Sequence, residues 1–125
     1  MIVEEEADVD SRYGIPAGSA DVAPALTLLP LPGRSGLRAM GEISLGTRGE
    51  WERALEGVLC EDEDEYYLEL SAVTFVDVAG VGALAAAAQR LPDGRRIVLH
   101  RPPAVVRRVL DMLWPGIAAI EVSMS

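Results

Sequence analysis

The order of strand-like and helix-like segments constrains this chain more than any other feature. Short apolar runs of strand length alternate with segments whose apolar residues recur at helical spacing. Helical crossovers between strands imply largely parallel pairing. We therefore predict one α/β domain, a mixed and mostly parallel sheet of about five strands with helices packed on it. The predicted strands are Leu26–Leu31, Leu37–Ile43, Tyr66–Leu70 with an extension at Val73–Val76, Arg96–His100 and Ile117–Val122.

The first two strands are predicted to form an N-terminal β-hairpin. The turn-forming segment 32–36 joins them, and Pro30 indicates that the first strand lies at a sheet edge. The small break at Ser71-Ala72 divides the third strand from its extension.

Three helices follow from capping signals and apolar spacing. Thr47 and Glu50 fit a capping box that opens the first helix. The second covers Ala83–Leu91, and the third has Pro103 at its first position. The first helix has one apolar stripe, formed by Trp51, Leu55, Val58 and Leu59. The third has two neighbouring apolar rows, one formed by Val105, Val109 and Leu113 and the next by Val106 and Leu110. We expect Trp51 and Trp114 to be buried in the core.

The charge is concentrated in two places. The chain has 20 acidic and 11 basic residues, and a formal net charge of -9. Residues 1–22 hold six acids and one Arg, and Glu61–Glu65 is an unbroken acidic run. We predict a flexible acidic tail over 1–22 and a folded domain over 23–125. Phosphate backbones and anionic lipid repel such a chain, so nucleic acid and membrane surfaces are not expected partners.

Cysteine content and hydropathy indicate a cytoplasmic protein. The single Cys60 excludes an internal disulfide and a multi-cysteine metal site. No signal peptide is expected, because Met1–Val3 runs directly into three glutamates. The longest nearly apolar run, Val78–Ala88, is shorter than the roughly 20 residues that span a bilayer.

The residues that could perform catalysis are few, so we predict no enzyme, no catalytic residue, no cofactor and no metal. His100 is the only histidine, and its position at the end of an apolar strand favours a structural role. Cys60 adjoins five carboxylates, which disfavour a reactive thiolate. Phosphate-binding, zinc-protease and serine-hydrolase motifs are absent from the sequence.

The segment Asp77–Gly82 joins a strand to a helix and is the most informative one. Asp77 can cap the helix, and Gly80 and Gly82 leave little side-chain bulk. Two interpretations remain open. The small residues pack on the sheet, or they let a partner backbone or an anion approach the helix N-terminus.

This segment also resembles a known family. Leu68–Leu84, which reads LELSAVTFVDVAGVGAL, is similar to the central signature of STAS domains, the bacterial anti-sigma factor antagonists. Met40–Ser44 resembles the family's Gly-Glu-Leu-Asp loop, and Pro103–Leu113 resembles its last helix. The resemblance covers about residues 25–123 and implies the STAS fold.

The resemblance implies a regulatory docking module. Such domains bind an anti-sigma factor that is also a kinase, and phosphorylation of one serine after the conserved aspartate releases it. Val78 occupies the phosphoacceptor-equivalent position here, and Ser44 replaces the loop aspartate. We therefore expect docking of an anti-sigma kinase or related partner without the phosphorylation switch. The expected partner-binding residues are Ser44, Asp77, Val78, Ala79, Gly80 and Val81.

Two other functions remain open at this point. One is a scaffold subunit of a stressosome-like or lipid-transport assembly, with self-association undecided. The other is a small-ligand or nucleotide sensor at the same helix N-terminus. Ser71 and Thr74 carry the nearby hydroxyl groups, and the strand position of Thr74 favours a structural role.

Overall fold

A computed structural model describes residues 25–124 and contains five strands and three α-helices. The predicted acidic tail, 1–22, lies outside the described residues. The strands are β1 (Leu26–Pro30), β2 (Gly36–Ile43), β3 (Glu65–Val76), β4 (Arg96–His100) and β5 (Ile120–Ser123). The helices are α1 (Arg48–Cys60), α2 (Val78–Gln89) and α3 (Ala104–Leu113), and a 3-10 turn (Leu45–Thr47) precedes α1.

The sheet has the predicted topology. Its strand order is β1-β2-β3-β4-β5, with β1 antiparallel to β2 and every other neighbouring pair parallel. The predicted hairpin and the α/β class are confirmed. Pro30 lies in β1 at the sheet edge, where its missing N–H costs no ladder hydrogen bond.

The helices cover one face of the sheet. Each helix joins neighbouring parallel strands in the same direction, and right-handed crossovers then place all three helices on one side. Alternate strand residues, including Leu68 and Leu99, are buried in one cluster with Trp51 of α1, Leu84 of α2 and Val106 of α3. The residues between them face the open side of the sheet and are mostly polar or charged.

The predicted break in the third strand is a β-bulge. β3 is continuous over 12 residues, but its register against β2 shifts near Ala72 and again beyond Val73. Leu70 is buried before the first shift, and Val73 and Val76 are buried after it. Between the two shifts Val73 turns toward the helices, and after both shifts the original alternation returns, so Val76 is buried and Phe75 is exposed within a strongly apolar stretch.

The helix starts differ from the predicted ones. The Thr47–Glu50 capping box is wrong, because the Thr47 hydroxyl donates to the Glu42 carbonyl oxygen over 2.8 Å and accepts from the Ser44 N–H over 3.0 Å. α2 begins at Val78 and not at residue 83. Pro103 precedes α3 as its N-cap residue.

The apolar helix positions divide between core and surface. In α3, Val106 and Leu110 are buried, whereas Val105 and Leu113 are exposed. Val109 is partly buried against the core. Both apolar rows of α3 therefore contribute to the core, but Val105 and Leu113 at the ends of the first row do not.

Both tryptophans contact the core. Trp51 is fully buried, and Trp114 is partly buried against it, close to Gly82. No helix within residues 25–124 is long and apolar enough to cross a membrane.

Candidate functional site

The parallel pairing of β2 and β3 brings two predicted site residues together. Ile43 pairs with Val76 at the carboxyl ends of these strands, so Ser44 and Asp77 leave the sheet side by side. The Asp77 N–H donates to the Ile43 carbonyl oxygen over 3.1 Å and extends the pairing by one residue. This end of the sheet, where β2 to β5 finish and all three helices begin, is called the carboxyl edge below.

Asp77 organises the start of α2. Its carboxylate Oδ1 accepts from the Gly80 N–H over 2.7 Å, which is an N-cap hydrogen bond. Arg48, the first residue of α1, donates to both Asp77 carboxylate oxygens over 3.1 and 3.3 Å. One side chain therefore caps α2 and ties it to the start of α1.

Gly80 is required by internal packing. A Cβ at Gly80 would lie 2.7 Å from Cγ2 of the buried Ile43. The Gly80 carbonyl oxygen accepts from the Trp51 indole N–H over 2.9 Å, and this bond is buried. Gly82 lies against Trp114, whose ring carbon would be 3.2 Å from an added Cβ. The packing interpretation of both glycines is therefore the one that the structure supports.

The six expected partner-binding residues differ in accessibility. Val78 is 53% exposed, and Ala79 is also exposed. Ser44 and Asp77 are partly exposed, whereas Gly80 and Val81 are buried. Only the first four residues are therefore accessible from solvent. Gly80 and Val81 support this surface from beneath.

Sequence reasoning missed two exposed apolar side chains at this edge. Leu45, in the 3-10 turn, is 82% exposed, and Phe75, near the end of β3, is 51% exposed. Alternation from the buried Leu68 and Leu70 assigns Phe75 to the open face of the sheet, but the apolar run around Phe75 obscures this signal. We define the docking surface as Ser44, Leu45, Phe75, Asp77, Val78 and Ala79.

The start of α2 is poorly suited to an anion. The Gly80 N–H is already bonded to the Asp77 side chain, and the Val81 N–H donates to the Asp77 carbonyl oxygen over 3.2 Å. The Asp77 carboxylate occupies the place where a phosphate would lie. These contacts weigh against the nucleotide-sensor interpretation.

A second polar cluster surrounds Glu69 on the open face of the sheet. Its buried carboxylate accepts from the Ser71 hydroxyl and N–H, and from the Arg101 guanidinium over 3.0 Å. Arg38 and His100 lie 3.8 and 3.7 Å away. Burial acts to raise the pKa of Glu69, but the hydrogen bonds from Ser71 and Arg101 outweigh burial and hold the pKa below its ordinary value. The side chain is therefore a buried, ionised carboxylate.

The remaining candidate residues make structural hydrogen bonds or lie outside the docking surface. The Thr74 hydroxyl donates to the Gly41 carbonyl oxygen over 3.1 Å, and Ser71 is bound to Glu69. Cys60 is exposed at the end of α1, beside the acidic run. Within residues 25–124, His, Cys, Asp and Glu side chains form no group of three suited to a metal ion.

A mainly apolar groove lies away from this surface. It has a volume of about 410 Å³ and runs between α3 and β5, lined mainly by apolar residues such as Leu110, Trp114 and Ile120. Arg107 and Asp111 are the charged residues that line it. None of the predicted site residues contributes to it.

Comparisons with known proteins agree with this architecture. The family described as "Mlab, STAS domain" matches residues 31–113. The crystal structure of an anti-sigma factor antagonist from Mycobacterium paratuberculosis is similar, with a TM-score of 0.61 and 24% identity, over 82% of this chain and 86% of that chain. The structure of the anti-sigma factor antagonist SpoIIAA in its unphosphorylated form has a TM-score of 0.55 and 18% identity, over 81% and 90% of the two chains. No curated protein sequence matches the chain.

Proposed function

Because the chain belongs to the STAS domain family, we propose that it is a regulatory protein-binding module that acts like an anti-sigma factor antagonist. Its partner is an anti-sigma kinase or a related protein, and it docks through the docking surface defined above. Docking takes place without a serine phosphorylation switch. The module is not an enzyme and acts by binding its partner.

One observation carries this proposal: Val78, which the resemblance assigns to the phosphoacceptor-equivalent position, is an exposed apolar residue. It is the first residue of α2 and directly follows the capping Asp77. A valine side chain has no hydroxyl to phosphorylate. With Leu45 and Phe75, it places three exposed large apolar side chains on elements that meet at the carboxyl edge. Exposed apolar groups rimmed by polar ones are typical of protein-binding sites.

Rigid support beneath the surface favours binding in one geometry. The Trp51–Gly80 hydrogen bond, the Asp77 cap and the Arg48–Asp77 ion pair hold the start of α2 against α1. A surface that is already ordered loses little conformational entropy when a partner binds.

The experiment is an affinity capture from a lysate of the native host, with the parent chain and Val78→Asp as baits. Capture by the parent of an ATP-binding anti-sigma kinase, and its loss with Val78→Asp, supports the proposal. Capture of transport or sensor-scaffold subunits, with no such kinase, contradicts it and favours a scaffold role in a larger assembly. Circular dichroism of both baits checks that the substitution leaves the fold intact.

A further inference from the structure

We propose that two copies of this chain form a two-fold symmetric dimer through β5 and the groove that lies between β5 and α3. In this dimer β5 pairs antiparallel with β5 of the second copy, and the two α3 helices face each other across the axis. The interface shares no residue with the docking surface. The inference therefore goes beyond the proposed function and does not depend on it.

The first argument is the free side of β5. Within residues 25–124 its neighbour in the sheet is β4 alone, with which it pairs in parallel. The N–H and C=O of one strand residue point to the same side, and this side alternates along the strand. Because the Ser123 carbonyl oxygen accepts from the Arg101 N–H over 2.7 Å, Ser123 and Glu121 point toward β4. The backbone groups of Ile120 and Val122 therefore point away from the sheet.

The two outer strands differ in their protection against pairing with another chain. β1 contains Pro30, which cannot donate a ladder hydrogen bond. β5 contains no proline, and the carboxylate of its one charged residue, Glu121, is paired with Arg96 over 2.8 Å. Of the two outer strands, β5 is therefore the one that remains suited to accept another strand.

The second argument is the groove beside β5. Its apolar lining includes Leu110 and Trp114 from the helix side and Ile120 and Val122 from the strand, and its volume is about 410 Å³. Val122 is 40% exposed. A second β5 placed beside the first brings the same two apolar strand side chains against this groove. The dimer therefore removes apolar surface from water on both copies.

The third argument is the charge along the groove. Arg107 and Asp111 are the charged residues that line it, and they lie one helical turn apart on α3. Both are exposed, and neither forms an ion pair with another residue of the range 25–124. A two-fold axis beside position 109 makes the two α3 helices antiparallel and places each Arg107 opposite Asp111 of the second copy. One surface thus supplies both the base and the acid, as an interface between identical patches requires.

The backbone of β5 determines the register of the pairing. With the axis at Val122, its N–H and C=O bond to Val122 of the second copy. Two residues further along, the Met124 N–H reaches the Ile120 carbonyl oxygen of the second copy. This register does not need the Ile120 N–H, which already donates to the Ile117 carbonyl oxygen over 3.2 Å.

The same register agrees with the side-chain charges and with the helix pairing. It places Glu121 opposite Ser123 of the second copy. An axis shifted by one residue would set two copies of Glu121 opposite each other, and like charges in that position destabilise a sheet. Arg107, Asp111 and Val122 line one groove, so a single two-fold axis serves both α3 and β5.

The experiment is sedimentation equilibrium of the full chain at concentrations from about 5 to about 500 µM. The expected result is a monomer–dimer equilibrium whose mean mass approaches twice that of one chain at the highest concentration. A mass of one chain over the whole range overturns the inference. Growth beyond two copies also overturns it, because a two-fold interface closes at the dimer.

Charge reversal tests the pairing of the two helices. Arg107→Glu and Asp111→Arg each set like charges across the axis, so each should weaken association at least tenfold. The double variant restores opposite charges at both contacts and should recover most of the association. Arg108→Glu is the matched control, because Arg108 is exposed on the same helix but does not line the groove. Parent-like association of both single variants, equal loss in Arg108→Glu, or no recovery in the double variant overturns the inference.

Two substitutions of Val122 test the strand pairing. Val122→Pro removes an N–H that points away from β4, so it should weaken association at least tenfold and leave the sheet intact by circular dichroism. If this variant unfolds, Val122→Lys decides, because it keeps the backbone and places two like charges side by side at the axis. Parent-like association of Val122→Lys overturns the inference.

Val78→Asp separates the dimer from the proposed function. It should dimerise as the parent does, whether or not it captures a partner, because Val78 lies outside the interface. If Val78→Asp abolishes the dimer while Val122→Lys keeps it, the copies associate through the docking surface, and the inference is overturned.

Discussion

The Arg48 guanidinium donates to both carboxylate oxygens of Asp77, over 3.1 Å to Oδ2 and 3.3 Å to Oδ1, and joins the starts of α1 and α2. The two residues are 29 positions apart in the sequence. The same carboxylate caps α2 through the Gly80 N–H. The position of Val78, and therefore the shape of the docking surface, depends on one aspartate that performs both tasks.

Substitutions of Asp77 should separate these tasks. Asp77→Asn keeps an oxygen for the cap and loses only a partly exposed ion pair. It should therefore lower the free energy of unfolding by less than about 1 kcal/mol. Asp77→Ala also removes the cap and should lower the free energy of unfolding by about 1 kcal/mol more. Urea unfolding of both variants measures the difference. If Asp77→Asn and Asp77→Ala lose the same stability, the capping hydrogen bond does not stabilise the fold.

Alanine substitutions at two helical glycines should change the free energy of unfolding in opposite directions. Gly80→Ala places a methyl group against the buried Ile43 and should destabilise the fold by about 1–3 kcal/mol. Gly57, in α1, has nothing within 4 Å of an added Cβ. Gly57→Ala should therefore stabilise the fold by about 0.5–1 kcal/mol. Chemical unfolding of the pair checks this, and a stabilised Gly80→Ala contradicts the packing described here.

Glu69 should make the fold sensitive to acid. Its folded-state pKa lies below the ordinary glutamate pKa of 4.5, so the carboxylate stabilises the fold fully above that pH. The contribution is lost as the pH falls from about 4.5 through the lower folded pKa. Glu69→Gln should therefore lower stability at pH 7 and flatten its acid dependence.

A matched control for this pH series is Glu52→Gln, on the exposed face of α1. Its stability curve should follow that of the parent from pH 7 to pH 3. Unfolding free energies at several pH values test both variants. An acid dependence in Glu69→Gln as steep as in the parent rejects the assignment of this sensitivity to Glu69.

Restoring a hydroxyl at residue 78 should create the missing switch. Val78→Ser places a serine at the first position of α2, next to the capping Asp77. A kinase partner captured by the parent should phosphorylate this variant and leave residue 78 of the parent unmodified. Phosphate adds about -1.5 to -2 charges, which should then weaken binding. Intact-mass analysis reports the transfer, and absence of transfer by a kinase that still binds argues against this orientation of partner and site.

The sequence predicts the topology well because topology depends on features that repeat along the chain. Strand and helix periods alternate over a hundred residues, and the rules for crossovers then leave few arrangements. The stripe that includes Trp51 and Leu55 is buried as expected. The hairpin turn and the strand ends at Ile43 and His100 are also correct.

The errors occur where a local signal competes with a tertiary contact. Thr47 has the sequence of a capping residue, but its hydroxyl bonds instead to the end of β2. Gly80 suggests access for a partner, yet it makes room for Ile43. Val73 has the alternation of an outward-facing residue, but the register shift near Ala72 turns it toward the core. None of these contacts can be deduced from neighbouring residues alone, since each depends on an element about 5 to 37 positions away.

The proposed contact between a partner and Val78 is tested most directly by a calorimetric titration of the captured partner. Met112→Asp, an exposed apolar position at the far end of α3, is the matched control. We predict that Val78→Asp weakens binding at least tenfold, about 1.4 kcal/mol, while Met112→Asp changes it less than about twofold. Parent-like affinity of Val78→Asp, or an equal loss in both variants, would contradict the claim.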